Sequence, residues 1–419
     1  MGEAIDKARR ARESAPSLAC ASASQRSNVI RRAAELLREG AGEIVGANTR
    51  DVQRAREAGM AEPLIDRLLL TPGRVASIAA AMDEVASQED PLNRVVDGST
   101  TADGLRIEKV TVPLGVVAII YEARPNVTAD AFALCMRSGN ACVLKGGSAA
   151  SESCRAIVAA CRRACAELGF SYDSVVYVDD DASHSQTSEL LEAIGVIDVL
   201  IPRGGAGLIR ACVEGAKVPV IETGTGNCHI YLHESADTAK AVSITVNAKT
   251  SRPGTCNSAE SLLVDRCAAS RLLPPVLKAL AEKGVELVGD HLARECADAA
   301  GVPMAAATED DWGREYIDLK MSVKCVEGVD EAISHINRYG TRHSEAIVCE
   351  SYAASERFLA GVDAAAVYVN ASTRFTDGGV FGLGGEIGIS TQKLHARGPM
   401  GASALTTTKY QIRGDGQVR

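Results

Sequence analysis

The stretch GVVAIIYEARPNVTADAFALCMRSGNACVLKGGSAA, Gly115–Ala150, decides the fold. It opens on an unbroken apolar run, Gly115 to Tyr121, rich in Val and Ile, as a strand covered on both faces is. Val127 to Ser138 then reads as a helix, and Ala141 to Leu144 as the next apolar strand. Outward toward the C-terminus the alternation continues with a helix over Ala150 to Leu168 and strands at Ser174 to Val178 and Val199 to Ile201. Short buried strands separated by helices predict a parallel α/β sheet that runs to about Ile209.

Upstream, residues 1 to about 95 read as helices. Asn28 to Leu37 places Val29, Ile30, Ala33, Leu36 and Leu37 on one stripe, Arg74 to Met82 repeats the habit, and Pro63, Pro72 and Pro91 punctuate them. DGSTTADG (Asp97–Gly104) is turn-rich, and RIEKVTVP (Arg106–Pro113) alternates as an exposed hairpin strand does. Downstream, a second α/β series is expected from about Ala239: a helix to Lys249, a loop to Cys256, a strand at Ser261 to Val264 and a helix at Arg271 to Lys283. Strands at Ser322 to Val326, Ala346 to Val348 and Ala366 to Val369 follow. The tail after Arg374 is rich in Gly, and SALTTTKYQI (Ser403–Ile412) has a strand's composition. No internal repeat interrupts this order.

A length of 419 residues predicts two to three domains at roughly 150 residues each. With 24% charged and 46% hydrophobic residues, disordered, collagen-like and coiled-coil classes are excluded. The apolar run through Val112 to Tyr121 falls far short of the roughly 18 residues that span a bilayer. The opening MGEAIDKARRARESA has no apolar segment after its basic residues, and Asp6 breaks the acylation pattern, so a cytoplasmic location is expected. Thirteen cysteines, an odd number, read as reduced thiols. A net charge of -9 offers no field for nucleic acid, so a small-molecule substrate is expected and no membrane or nucleic-acid partner.

Four glycine-rich loops follow expected strands: Leu144–Ala150, Pro202–Arg210, Glu222–Asn227 and Phe381–Gly388. None is a dinucleotide GxGxxG in its usual place or a P-loop, and any one of them taken singly reads first as a tight αβ turn. PRGGAGLIR is the most suggestive, since strand, glycines and helix start follow in order and a helix N-terminus offers free N–H groups to a phosphate. Lys145, ahead of Gly146 and Gly147, is either a strand end reaching for solvent or a donor to a bound ribose. Cys135, Cys142, Cys154, Cys161 and Cys165 read as core hydrophobes, and the lack of a CxxC pair argues against a zinc site. Cys256 stands apart. TSRPGTCNSAE sets it in a Pro-Gly turn between a helix and a strand, where Arg252 favours its thiolate and nearby backbone N–H groups are available to an oxyanion.

YEARPNVTADA, LKGGSAA, PRGGAGLI, ETGTGNCHIY, SRPGTCNSAE and GLGGEIGISTQKLHARGPMGASALTTTKY together resemble the glutamate-5-semialdehyde dehydrogenase family of the aldehyde dehydrogenase superfamily, over essentially the whole chain. The resemblance implies an aldehyde dehydrogenase-like α/β fold: two α/β domains with open, mostly parallel sheets plus a small β-hairpin oligomerisation element. Residues 1–98 and 113–240, with part of 372–398, are then expected to form the cofactor-binding domain, 241–371 the catalytic domain, and 99–112 with 399–419 the oligomerisation hairpin and tail. Cys256 becomes the nucleophile and Asn126 the side-chain oxyanion donor, whose bland alternative is a helix N-cap before Val127. Lys145 resembles the ribose-gripping lysine, and Gly204 and Gly205 open the helix that faces the pyrophosphate. Glu315 resembles the carboxylate on the nicotinamide ribose, the alternative being a solvated turn residue. Glu222 aligns with the superfamily's general base, although the TGTGN that follows departs from the usual glycine pattern, so structural or proton-shuttle duty stays open.

A second departure is Ser148, where NAD-preferring relatives often carry a glutamate. A carboxylate repels a 2′-phosphate and a serine can donate to it, so NADP(H) is the expected cofactor. The implied reaction is NADPH-dependent reduction of L-glutamyl 5-phosphate to the semialdehyde through a cysteine thioester, in proline biosynthesis, the product cyclising to 1-pyrroline-5-carboxylate. The alternative within the superfamily oxidises an aldehyde to a free acid. Arg124 and Arg252 are nominated as substrate-binding cations, with Arg374 and Lys249 behind them. A cysteine hydrolase needs a His base, and among the seven histidines His229 and His343 form no recognisable Cys/His arrangement in sequence. A homo-oligomer, dimer or tetramer, and a glutamate 5-kinase partner are further expectations of the family.

Overall fold

Five helices, Glu3–Cys20, Ala23–Glu39, Ala41–Glu57, Glu62–Leu68 and Pro72–Ser87, precede any strand in the computed structural model, which describes residues 2–179 and 185–419. Their starts follow capping chemistry. Ser22 and Gln25 form a reciprocal capping box, and Thr71 accepts from the N–H of Arg74 ahead of Pro72 at the first helical position. The stripe Val29, Ile30, Ala33, Leu36 and Leu37 is buried as its spacing requires.

The chain divides into two compact units, the first comprising Met1–Thr223, Gly382–Gly388 and Pro399–Arg419. Its main sheet has four parallel strands in the order Val175–Tyr177, Ala141–Lys145, Val116–Tyr121, Val199–Arg203. The chain moves to one side after Val116–Tyr121 and returns on the other side with Val199–Arg203. The strand order therefore reverses between these two, and the crevice beyond their carboxyl ends is where open parallel sheets bind ligands. A separate antiparallel sheet places Arg106–Pro113 between Val95–Thr100 and Thr406–Arg413, so RIEKVTVP and the tail strand pair with each other. Val95, Val96, Tyr410 and Ile412 are exposed on its outer strands.

The second unit comprises Gly224–Phe381 and Ile389–Gly398. Its seven parallel strands run Ala305–Ala306, Glu286–Gly289, Lys320–Val326, Ala259–Asp265, Cys228–Leu232, Ser344–Val348, Ala366–Val369. Side chains alternate between two buried faces: Ile230, Leu232, Leu262 and Val264 pack with Leu272 and Val276, while Tyr231, Leu263 and Ile347 pack with Ile336 and Phe358.

One expectation needs correction here. The second α/β series begins upstream of Ala239, with Cys228–Leu232, to which the sequence reading assigns no element. Its five residues, CHIYL, are all buried, but His229 interrupts the apolar run in sequence, and parallel hydrogen bonding to Ala259–Asp265 and Ser344–Val348 ties them to the second unit. The unit boundary accordingly falls at Thr223/Gly224 rather than at 240/241, and 372–398 is shared between the two. Among the described residues no helix is long and apolar enough to cross a membrane.

Candidate active site

Cys256 is half-buried in the loop between the helix Thr238–Thr250 and the strand Ala259–Asp265, at the amino end of the second unit's sheet. The loop is pinned on both sides of the thiol. Thr255 Oγ1 donates to Asn257 Oδ1 (3.0 Å), Asn257 Nδ2 donates to the carbonyl of Thr376 (2.9 Å), and the hydroxyl of Thr373 donates to the carbonyl of Asn257 (2.7 Å). The Cys228 thiol donates to the carbonyl oxygen of Cys256 itself (3.2 Å). Most of these ties are to backbone groups, so the sulfur is carried on a fixed frame, as a nucleophile that must meet an aligned carbonyl requires.

The glycine loop before Cys228 closes on this frame. A Cβ built on Gly226 falls 1.5 Å from the Cys256 carbonyl oxygen, so only glycine fits there. The Gly226 N–H donates to Glu315 Oε1 (2.7 Å), and Asn227 Nδ2 donates to the carbonyls of Trp312 (2.9 Å) and Tyr339 (3.0 Å). Glu315 is thus half-buried and bonded to the loop that backs Cys256, which removes the reading of a solvated turn carboxylate.

Below the loop lies a buried polar layer. Lys249, a nominated substrate cation, is fully buried and paired at 2.6 Å with Glu260 on the neighbouring strand. Burial pushes the Glu260 carboxyl up to about 7 against the pull of Lys249, and burial lowers the Lys249 ammonium. His229, whose ring Nδ1 lies 2.9 Å from Glu345 Oε2, and His343, whose Nδ1 lies 3.8 Å from Cys228 Sγ, are buried. So a Cys/His contact exists that sequence did not show, but burial and then the charge of Glu345 push the Cys228 thiol well up, which keeps it a hydrogen-bond donor and not a nucleophile.

Burial also raises the thiols of Cys142, Cys154 and Cys161, Cys154 to about 11, in keeping with their place in the core. Arg374 donates from Nη1 to Thr255 Oγ1 (2.8 Å) and from Nε to Ser251 Oγ (3.1 Å), gripping the Cys256 loop from outside. Arg252, in the same loop, is exposed.

In the first unit the candidates gather at the carboxyl ends of the parallel strands. Lys145 closes its strand and is buried, so it is not a strand end reaching for solvent; Ser148 is exposed just beyond it. Gly205 caps the helix Ala206–Gly215 at the point where the strand order reverses, and its N–H donates to Glu122 Oε1 (3.0 Å). A carboxylate of the chain therefore rests on the helix N-terminus that suits a phosphate, and a Cβ on Gly204 falls 2.7 Å from that carboxylate carbon. Sequence reading missed Glu122, one residue past an apolar strand.

Asn126 is not an N-cap. Arg124 holds the cap position, Pro125 begins the helix Pro125–Arg137, and the exposed Asn126 side chain donates to Asp130 Oδ2 (3.3 Å) one turn on. Arg124 and Glu222 are half-buried. Among the described residues no group of His, Cys, Asp and Glu is arranged to hold a metal ion.

A model of the aldehyde dehydrogenase family matches residues 1–318. A gamma-glutamyl phosphate reductase of Clostridium perfringens is 52% identical over 417 residues, covering 100% of this chain and 99% of that protein. The enzyme of that name from Thermobifida fusca is 50% identical over 412 residues, covering 98% and 97%. The crystal structure of gamma-glutamyl phosphate reductase from Thermotoga maritima matches with a TM-score of 0.96 at 46% identity, covering both chains in full.

Proposed function

This chain belongs to the aldehyde dehydrogenase family, and within it to the gamma-glutamyl phosphate reductase family, and from that premise we propose that it reduces L-glutamyl 5-phosphate to L-glutamate 5-semialdehyde and phosphate, with NADPH as reductant and Cys256 as nucleophile. It is an oxidoreductase, and its family uses a nicotinamide cofactor. The observation that carries the reading is the frame around Cys256: a turn thiol fixed through its own carbonyl and both neighbours, in a chain half identical to these reductases from end to end.

The residues fit the cofactor. A helix N-terminus at the sheet's switch point already accommodates an anionic group, Lys145 is held at an adjacent strand end, and Ser148 offers a hydroxyl where a carboxylate would repel a 2′-phosphate. Gly204, Gly205, Lys145, Ser148 and Glu315 are the proposed cofactor contacts. When bound, the nicotinamide supplies hydride to the acyl group carried on sulfur.

The remaining steps belong to the chain. The Cys256 thiolate attacks the acyl carbonyl, the C–O bond to phosphate breaks, and a thioester stays on the sulfur. Asn126 and the backbone N–H of Cys256 are proposed to stabilise the oxyanion, and Arg124 and Arg252 to hold the anionic ends of the substrate. Glu222 is proposed to hold a proton and not to activate water, because hydrolysis of the thioester discards the intermediate. After reduction the sulfur leaves as thiol and the semialdehyde departs. The exposed three-stranded sheet, with open edges at Val95–Thr100 and Thr406–Arg413, is the proposed contact of a dimer or tetramer, and a glutamate 5-kinase the proposed supplier of the labile acyl phosphate.

Running the reaction backward tests the function. With 1-pyrroline-5-carboxylate, NADP and enzyme, absorbance of the reduced cofactor should appear only when inorganic phosphate is added. The same rate without phosphate identifies an aldehyde oxidiser releasing a free acid.

A further inference from the structure

Arg374 is a guanidinium held in place by two hydroxyls and by no carboxylate. Its Nη1 bonds Thr255 Oγ1 (2.8 Å) and its Nε bonds Ser251 Oγ (3.1 Å). Thr255 is the residue before Cys256, and Ser251 opens the same loop, so the cation is tied to the nucleophile's own frame. Arg252 lies between those two anchors in sequence and brings a second positive charge near enough to act on the first: burial and then the like charge of Arg252 lower the affinity of Arg374 for its proton, while Cys256 and Asp377 oppose them. Asp377 acts on Arg374 from a distance and not as an ion pair: its Oδ1 accepts from the N–H groups of Gly379 (2.9 Å) and Val380 (3.3 Å). Among the described residues neither guanidinium forms an ion pair with a carboxylate. Two like charges kept near each other without an ion-paired carboxylate repel each other, and an anion of charge two placed between them turns that repulsion into attraction.

We propose that Arg374 and Arg252 form the phosphoryl subsite: they bind the phosphate of the acyl phosphate and, in the reverse direction, inorganic phosphate. The proposal rests on the reductase reading above and adds to it the residue and the part of the substrate that it takes. The choice between the two anionic ends of the substrate follows from the anchor. The group that departs when Cys256 attacks is bonded to the attacked carbon, whereas the α-carboxylate is at the far end of the five-carbon chain. A cation tied to the residue next to the nucleophile meets the former. A planar guanidinium that spends one bond on each hydroxyl keeps further N–H groups, and such a fork suits two phosphate oxygens at once. In reverse, a phosphate oxygen attacks the thioester carbonyl, the C–S bond breaks, the electron pair leaves on the Cys256 sulfur, and the acyl phosphate is formed.

The test uses the full-length enzyme in the oxidative direction, with inorganic phosphate as the probe, and compares wild type with Arg374→Gln and Arg252→Ala, the second an exposed site whose replacement leaves the core untouched. Each variant should raise KM for phosphate by at least about tenfold, the scale of one lost charge-assisted hydrogen bond. KM for pyrroline-5-carboxylate should stay within about twofold. Phosphate alone should protect Cys256 of wild type from iodoacetamide and fail to protect it in Arg374→Gln. A phosphate-dependent wild type with unchanged phosphate KM in both variants, or a rise confined to KM for pyrroline-5-carboxylate, overturns the subsite and leaves the reductase reading standing. Oxidation that wild type performs without phosphate removes both.

Discussion

A Cβ on Gly226 would lie 1.5 Å from the carbonyl oxygen of Cys256. The obstructing atom is backbone, which cannot rotate away, so Gly226→Ala must displace one loop or the other. A shift of about 1 Å in a nucleophile's frame is enough to cost on the order of a hundredfold. Turnover is expected to fall at least that far while the far-UV circular dichroism of the purified variant stays that of wild type. A variant with near-normal kcat would show that the Cys256 frame tolerates movement.

Cys256→Ala removes the sulfur and keeps the frame that runs through Thr255, Asn257 and the main-chain carbonyl of residue 256. Reduction of the acyl phosphate should vanish, and NADPH should still bind by fluorescence titration. Appreciable residual reduction is the outcome that excludes a thioester on this residue.

What the sequence disclosed and what it withheld separate along a physical line. The strand Val116–Tyr121 was legible because it is covered on both faces and apolar throughout. Cys228–Leu232 escaped because a buried His229 satisfied by Glu345 looks polar in sequence, although it is core in space. Cys256 stood out through its Pro-Gly turn, a local feature. The fit of Gly226 against it and the Lys249–Glu260 pair depend on separate elements meeting, which no spacing encodes. The Asn126–Asp130 bond, by contrast, is an i, i+4 pair on one helix and was readable in principle.

That bond orients a proposed oxyanion donor. A carboxylate accepts only, so Asp130 selects the NH₂ end of the Asn126 amide and leaves its second N–H directed elsewhere. Asp130→Asn can bond either end, and kcat at about pH 8 should drop about tenfold, less than the loss expected on deleting the donor outright. Burial raises the Asp130 carboxyl to about 7, with Asn126 and Arg203 pulling it down and Glu386 pushing it up. A folded-state value above the ordinary one means a stabilising contribution complete below about pH 4 and lost as pH rises through 7. The melting temperature of Asp130→Asn relative to wild type should therefore increase from about pH 5 to about pH 8. Parallel profiles would remove Asp130 as the titrating group.

Ser148→Glu places a carboxylate beyond Lys145, at an exposed position where it costs the fold little. If Ser148 faces the 2′-phosphate, the ratio of kcat/KM for NADPH over NADH should fall by about tenfold or more through like-charge repulsion. An unchanged ratio would place the 2′-phosphate somewhere else.

Lys249 and Glu260 are buried together at 2.6 Å, and apart from the N–H of Ile317 that Glu260 Oε1 accepts (3.4 Å) the ion pair is what compensates the carboxylate for lost water, whatever the chemistry above them. Lys249→Met strands a carboxylate in the interior and should cost ~3–5 kcal/mol by urea unfolding at about pH 8, whereas adding Glu260→Leu should return most of that loss. The pH dependence has a definite sign. Glu260, already raised to about 7 with its partner present, rises further without it, so the single variant recovers stability toward about pH 5 as the carboxyl takes up its proton. If Lys249 instead served the substrate, the single variant would keep its stability and lose KM, and the second replacement would restore nothing.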